Sequence, residues 1–186
     1  MWSIEKLQEV WQLASELHNG QKYASPKKGQ KVEYLNHIGS VTFEVLAATQ
    51  LDASLDADLA LHCAVLHDTI EDTSQSYEGL EERFGKAIAQ GVLALTKNES
   101  LPTKTAQMQD SLTRIRQQPK EVWAVKMADR ICNLQEPPHY WSREKRVAYQ
   151  QEAQLIYTQL HLGNLYLAQR LQEKIAAYEQ YFDKSS

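Results

Sequence analysis

Residues 56–72 read DADLALHCAVLHDTIED, and the character of the stretch changes abruptly along its length. From Leu59 to Leu66 only His62 is polar, so a helix here is apolar nearly all round and belongs in a core. The stretch then ends in His67, Asp68, Glu71 and Asp72. At about 100° per residue, one continuous helix over 56–72 puts Asp68 with Asp72 and His67 with Glu71, crowding three carboxylates and an imidazole into one turn. Like charges at that spacing repel, burial makes them costlier, and a helix C-terminus disfavours anions. Accepting all three penalties points to a compensating cation.

Two further segments supply partners. Residues 122–134, VWAVKMADRICNL, form a second nearly all-apolar helix interrupted by Asp129 and, one turn later, Asn133. A carboxylate at the centre of a core helix needs a ligand, an arginine or a hydrogen-bond network. His37 opens a third helix whose apolar face carries Ile38, Val41 and Val45. Together His37, His67, Asp68 and Asp129 offer two imidazoles and two carboxylates, a set suited to Mn²⁺, Fe²⁺ or Zn²⁺. Such a site activates water near neutral pH.

Around these segments the chain reads as all-α. Seven glycines and five prolines in 186 residues leave few breaks, and period-2 alternation is nearly absent. Helices are expected over 2–19, 38–50, 56–72, 76–84, 86–96, 103–117, 120–134, 143–161 and 164–182, with Gly85 as a left-handed cap. The length fits one domain, taken as 1–186. The lysine-rich stretch 20–36 is too long for a simple connector and is expected to be an irregular substrate loop. A net charge of −4 argues against binding nucleic-acid polymers, and no apolar run reaches the roughly 20 residues that span a bilayer. The first helix is amphipathic and carries glutamates, unlike a signal peptide, so a cytoplasmic location is expected. Cys63 and Cys132 lie in apolar segments and read as small core residues.

Taken in order, HNGQKY (18–23), EYLNHIGSV (33–41), LHDTIED (66–72), RFG (83–85), LTK (95–97) and VKMADRICNL (125–134) resemble the successive motifs of the RelA/SpoT hydrolase-domain family within the HD superfamily. They are especially similar to its stand-alone form, the small alarmone hydrolases. The resemblance covers roughly residues 10–160 and implies a compact helical HD-domain fold with a central metal site. It implies that His37, His67, Asp68 and Asp129 hold one divalent metal, usually Mn²⁺, while Glu71 and Asp72 activate the attacking water. The implied reaction is hydrolysis of (p)ppGpp to GDP or GTP plus pyrophosphate. Asn133, Lys104 and Tyr149 match substrate-contacting positions.

The chemistry needs phosphate charge to be shielded as well, and Lys22, Lys27, Lys28, Lys31 and Lys104 are candidates, with Tyr23 beside them for the base. Long Rel-type enzymes carry an arginine against the guanine and a proline after the metal histidine. Here KYASPKKGQKVEYLNHI has neither, so an adenine analogue, (p)ppApp, is a candidate as well as or instead of the guanine form. No room is expected after residue 186 for a synthetase domain, and a homodimer is left open. Alternatives are an HD phosphohydrolase acting on a nucleoside monophosphate, a cyclic nucleotide or NADPH, a catalytically dead alarmone sensor, and a metal-stabilised scaffold.

Overall fold

The computed structural model describes residues 3–25, 27 and 29–183, and among these it holds ten α-helices and one two-stranded sheet. Helix α1 (Ile4–Leu17) is capped by the Ser3 hydroxyl. Strands β1 (Lys22–Ala24) and β2 (Lys31–Glu33) precede α2 (Leu35–Leu51). Helices α3 (Ala57–Leu66), α4 (Thr69–Asp72), α5 (Tyr77–Phe84) and α6 (Lys86–Leu95) follow. The chain closes with α7 (Lys104–Ile115), α8 (Lys120–Asn133), α9 (Arg143–Leu160) and α10 (Leu165–Tyr178), the last two joined by a 3₁₀ turn at His161–Gly163. The all-helical expectation holds for the bulk of the fold.

Four expectations are corrected. The stretch 20–36 is not irregular throughout: β1 and β2 within it pair antiparallel, with Lys22 opposite Glu33 and Tyr23 opposite Val32. Residues 56–72 are not one helix but break at His67 and Asp68. The cause is local. The Ala64 carbonyl, which would take the Asp68 amide in a continuous helix, faces His67 Nδ1 at 2.8 Å, and the Leu66 carbonyl accepts from the Thr69 hydroxyl at 2.7 Å. Side chains thus occupy the acceptors that helix continuation needs. His37, expected to open a helix, lies inside the first turn of α2. Gly85 has the positive φ foreseen for it, 87°, but its ψ of 163° is extended, not left-handed helical.

Helix α8 is the axis of the core. Val122, Ala124, Val125, Met127 and Ala128 are fully buried, and α8 packs against α2, α3, α9 and α10. A second apolar cluster, including Val10, Ile38, Leu66 and Leu80, joins α1, α2, α3 and α5. Both cysteines are free, Cys63 buried and Cys132 half-buried. Among the described residues no helix is long and apolar enough to cross a membrane.

Candidate metal and catalytic site

Because α2, the α3–α4 break and α8 lie side by side, His37, His67 and Asp129 offer ligand atoms all within 4.8 Å of one another, and Asp68, outside that group, lies against both imidazoles. His67 Nε2 stands 3.3 Å from His37 Nε2 and 2.9 Å from Asp68 Oδ2. His37 Nε2 lies 3.4 Å from Asp129 Oδ1 and 3.7 Å from Asp68 Oδ2. Ligand atoms about 2.1 Å from one ion are themselves about 3.0–3.4 Å apart in octahedral or tetrahedral geometry, so the spacing suits a single metal. The donor chemistry agrees. With His67 Nδ1 donating to the Ala64 carbonyl, Nε2 would turn a lone pair on a carboxylate oxygen, an arrangement that needs a proton or a cation between them.

Each carboxylate is held from behind. The Tyr34 hydroxyl donates to Asp68 Oδ2 at 2.6 Å. On Asp129, Oδ2 takes the ammonium of Lys126 at 3.0 Å and Oδ1 takes the Asn133 amide at 2.5 Å. Partners of this kind orient ligands. Burial works against the Asp129 carboxylate, but Lys126 and the two imidazoles outweigh it and hold its pKa well below the usual range. Burial likewise opposes the Asp68 charge and is outweighed by His67, which keeps that carboxyl ionised too. For the His67 imidazole, burial pushes the pKa down while Asp68 and Asp129 carry it up to about 9. Burial and the Asp68 charge drive the Tyr34 hydroxyl far upward, so it remains a proton donor.

Glu71 and Asp72, one turn on, have different surroundings. Both oxygens of Glu71 are taken by Lys97, whose ammonium is 2.5 Å from Oε1 and whose backbone N–H donates to Oε2 at 2.9 Å. Asp72 forms no ion pair among the described residues, although the Lys97 charge reaches it weakly. Burial and the Asp68 charge raise its pKa, opposed by the Tyr34 hydroxyl, which reaches Asp72 as well.

The substrate-binding expectations fare unevenly. Asn133 is spent on Asp129, though its exposed position leaves it facing outward. Tyr149 packs over the Arg130 guanidinium at 4.3 Å and meets Trp141 edge-on, and the charges of Asp129 and Lys97 reach its hydroxyl, which places it beside the cluster. Lys104 opens α7 exposed, with no hydrogen bond or ion pair to the cluster. Lys22 pairs with Glu33 across the hairpin at 2.5 Å, and Tyr23 accepts from the Asn36 amide. Lys27 and Lys31 are exposed on the same hairpin, and Lys28 lies outside the described residues. Tyr34, Lys97 and Lys126 were not singled out, although each sits within a quoted motif: EYLNH, LTK and VKMADR.

A family profile described as HD domain matches residues 10–164. The chain belongs to the HD-domain family. It is 28% identical over 176 residues to the zebrafish (Danio rerio) guanosine-3′,5′-bis(diphosphate) 3′-pyrophosphohydrolase MESH1, covering 92% of this chain and 93% of that protein. To the bifunctional (p)ppGpp synthase/hydrolase SpoT of Escherichia coli K12 it is 31% identical over 136 residues, 70% of this chain but 18% of SpoT. A solved structure, described as a metazoan ortholog of SpoT that hydrolyses ppGpp, superposes with a TM-score of 0.78 at 26% identity, covering 95% of this chain and 97% of that one. The HD-domain fold is thus common ground between sequence, geometry and relatives.

Proposed function

We propose that this HD-domain protein is a metal-dependent 3′-pyrophosphohydrolase that cleaves (p)ppGpp-type alarmones to GDP or GTP plus pyrophosphate. One observation carries the reading: the convergent His/Asp donors lie beside a carboxylate that forms no ion pair among the described residues, Asp72, and a lysine, Lys97. Relatives that span more than nine-tenths of this chain are described as acting on ppGpp in the same way.

His37, His67, Asp68 and Asp129 would hold one divalent ion, Mn²⁺ in this proposal, which supplies the positive charge that eases water deprotonation and attack at phosphorus. Asp72 accepts the proton from water, a role its raised pKa suits. The water oxygen bonds to the phosphorus next to the ribose 3′-oxygen, the P–O3′ bond breaks, and the proton passes to that oxygen. Tyr34 keeps Asp68 and Asp72 in place through its hydroxyl, and Lys126 keeps Asp129 ionised. Tyr149, Asn133, Lys104, Lys22 and Tyr23 remain proposed substrate contacts, the last two requiring the hairpin to release its own pairings. With no arginine in the hairpin to cover guanine, the adenine form (p)ppApp is included in the proposed substrate class. A soluble nucleotide substrate fits a cytoplasmic enzyme.

Products from ppGpp, ppApp, NADPH and nucleoside monophosphates, separated after incubation with Mn²⁺, test the assignment. Pyrophosphate and the 5′-diphosphate nucleoside are expected from at least one alarmone. Release of phosphate from NADPH or a monophosphate, with both alarmones untouched, overturns it in favour of another HD phosphohydrolase.

A further inference from the structure

Among the described residues, Glu71 and Asp72 are neighbours in sequence yet differ in what faces them. Glu71 is only 17% exposed and has a donor on each oxygen: the Lys97 ammonium on Oε1 and the Lys97 backbone N–H on Oε2. Its strongest acceptor positions are already filled. Asp72 meets the Tyr34 hydroxyl and the charges of Asp68 and Glu71, and the Lys97 charge reaches it only as the weakest of these influences, with no ion pair formed among the described residues. The Lys97 side chain is 43% exposed, and it is close enough to the metal-site carboxylates for Asp129 and Asp68 to act on its charge. Placed just past the end of α6, with its backbone pinned to Glu71, this ammonium is part-exposed and within electrostatic reach of the cluster. An ammonium has three donors and Glu71 uses one, which leaves two for another acceptor.

An exposed ion pair contributes little to stability, so the pairing has small value as a surface clasp. Beside a phosphate, a pre-positioned ammonium is worth much more, because a charge-assisted bond is strong and the lysine's conformational freedom has already been removed. We infer that Lys97 is a phosphate-binding cation of the active site, that Glu71 is the positioning residue which aims it, and that Asp72 alone accepts the proton from water. The inference rests on the alarmone-hydrolase reading and divides labour within it.

The Mn²⁺-loaded protein and its Lys97→Met, Lys97→Arg, Glu71→Gln, Asp72→Asn and Lys97→Met/Glu71→Gln variants test it, with two readouts. In steady-state hydrolysis of ppGpp, Lys97→Met should raise KM by roughly ten- to a hundredfold and leave kcat within a fewfold. Lys97→Arg should recover part of that loss. Asp72→Asn should instead lower kcat by roughly 10²-fold or more. Glu71→Gln should act through KM, and add almost nothing once Lys97 is methionine. Isothermal titration of inorganic pyrophosphate into the same proteins gives the second readout, with binding weakened by Lys97→Met and Glu71→Gln but kept by Asp72→Asn. If Glu71→Gln cuts kcat as deeply in the Lys97→Met background as alone, or if pyrophosphate binds Lys97→Met as tightly as the parent, the inference is overturned. Absence of ppGpp hydrolysis by the parent would remove the alarmone reading, and the pyrophosphate titration would still decide the role of Lys97.

Discussion

His67 is the residue on which protonation and metal binding meet. In the metal-free protein its pKa stands near 9, above the roughly 6.5 of an unfolded histidine, because Asp68 and Asp129 overcome the cost of burial. A raised folded-state value means that the proton favours the folded form. This contribution is whole below about pH 6.5 and is lost as the pH climbs through 9. A metal must displace the same proton, so metal binding tightens over the interval in which proton stabilisation fades. Melting temperatures of EDTA-treated protein between pH 6 and 9.5 should therefore fall, while the increment produced by added Mn²⁺ grows. A flat metal-free profile would contradict the placement of Asp68 and Asp129 around this ring. The same geometry explains what was legible at this scale. Buried charge in an apolar context exposed His67, Asp68 and Asp129 as candidates, because burial without a partner is expensive and apolar flanks advertise it. Lys97 and Lys126 gave no such signal, since a lysine in a sequence reads as solvated until its partner is known.

At the scale of elements, the position of α6 against α3 and α8 depends on a missing side chain. A Cβ on Gly91 would lie 2.7 Å from Cys63 Sγ on α3 and 3.0 Å from Val122 Cγ2 on α8, closer than atoms pack. Gly91→Ala should push these helices apart and destabilise the protein by about 1–3 kcal/mol, read as a lower urea midpoint with an unchanged slope. Because Lys97 follows α6 and His67 ends α3, the variant should also lose activity beyond what its stability explains. A variant as stable as the parent would show that the interface yields without cost. Helix-scale features were readable wherever periodicity ran for ten residues or more, as in α8 and α9. The hairpin was not, since three-residue strands such as Lys22–Ala24 are too short for alternation to show and their pairing rests on long-range register. The break after Leu66 also escaped, because it comes from Thr69 and His67 side chains claiming backbone acceptors, a competition that helix patterning does not record.

Across the whole molecule the proposed ligands come from α2, the α3–α4 break and α8, so one ion would join the elements that pack around the core. An ion present at a hundred times its dissociation constant adds about 2.7 kcal/mol, which for a protein of this size shifts the melting temperature by roughly 5–11 °C. Thorough EDTA treatment should remove that increment together with hydrolysis, and Mn²⁺ should restore both. Asp129→Asn should lower the melting temperature of the Mn²⁺-supplemented protein toward that of the stripped parent, since an amide is a poor ligand. An unchanged melting curve with full activity after chelation would refute the metal assignment. The connection from His37 to Asp129 also has a topological side. It encloses about half the chain, so closing it carries the entropic cost of a long loop. If the ion binds only once the folding barrier has been crossed, it works as a brake on unfolding and gives no push to folding. The apo chain then reaches its native topology at its own pace, and binding afterwards determines how long it stays there.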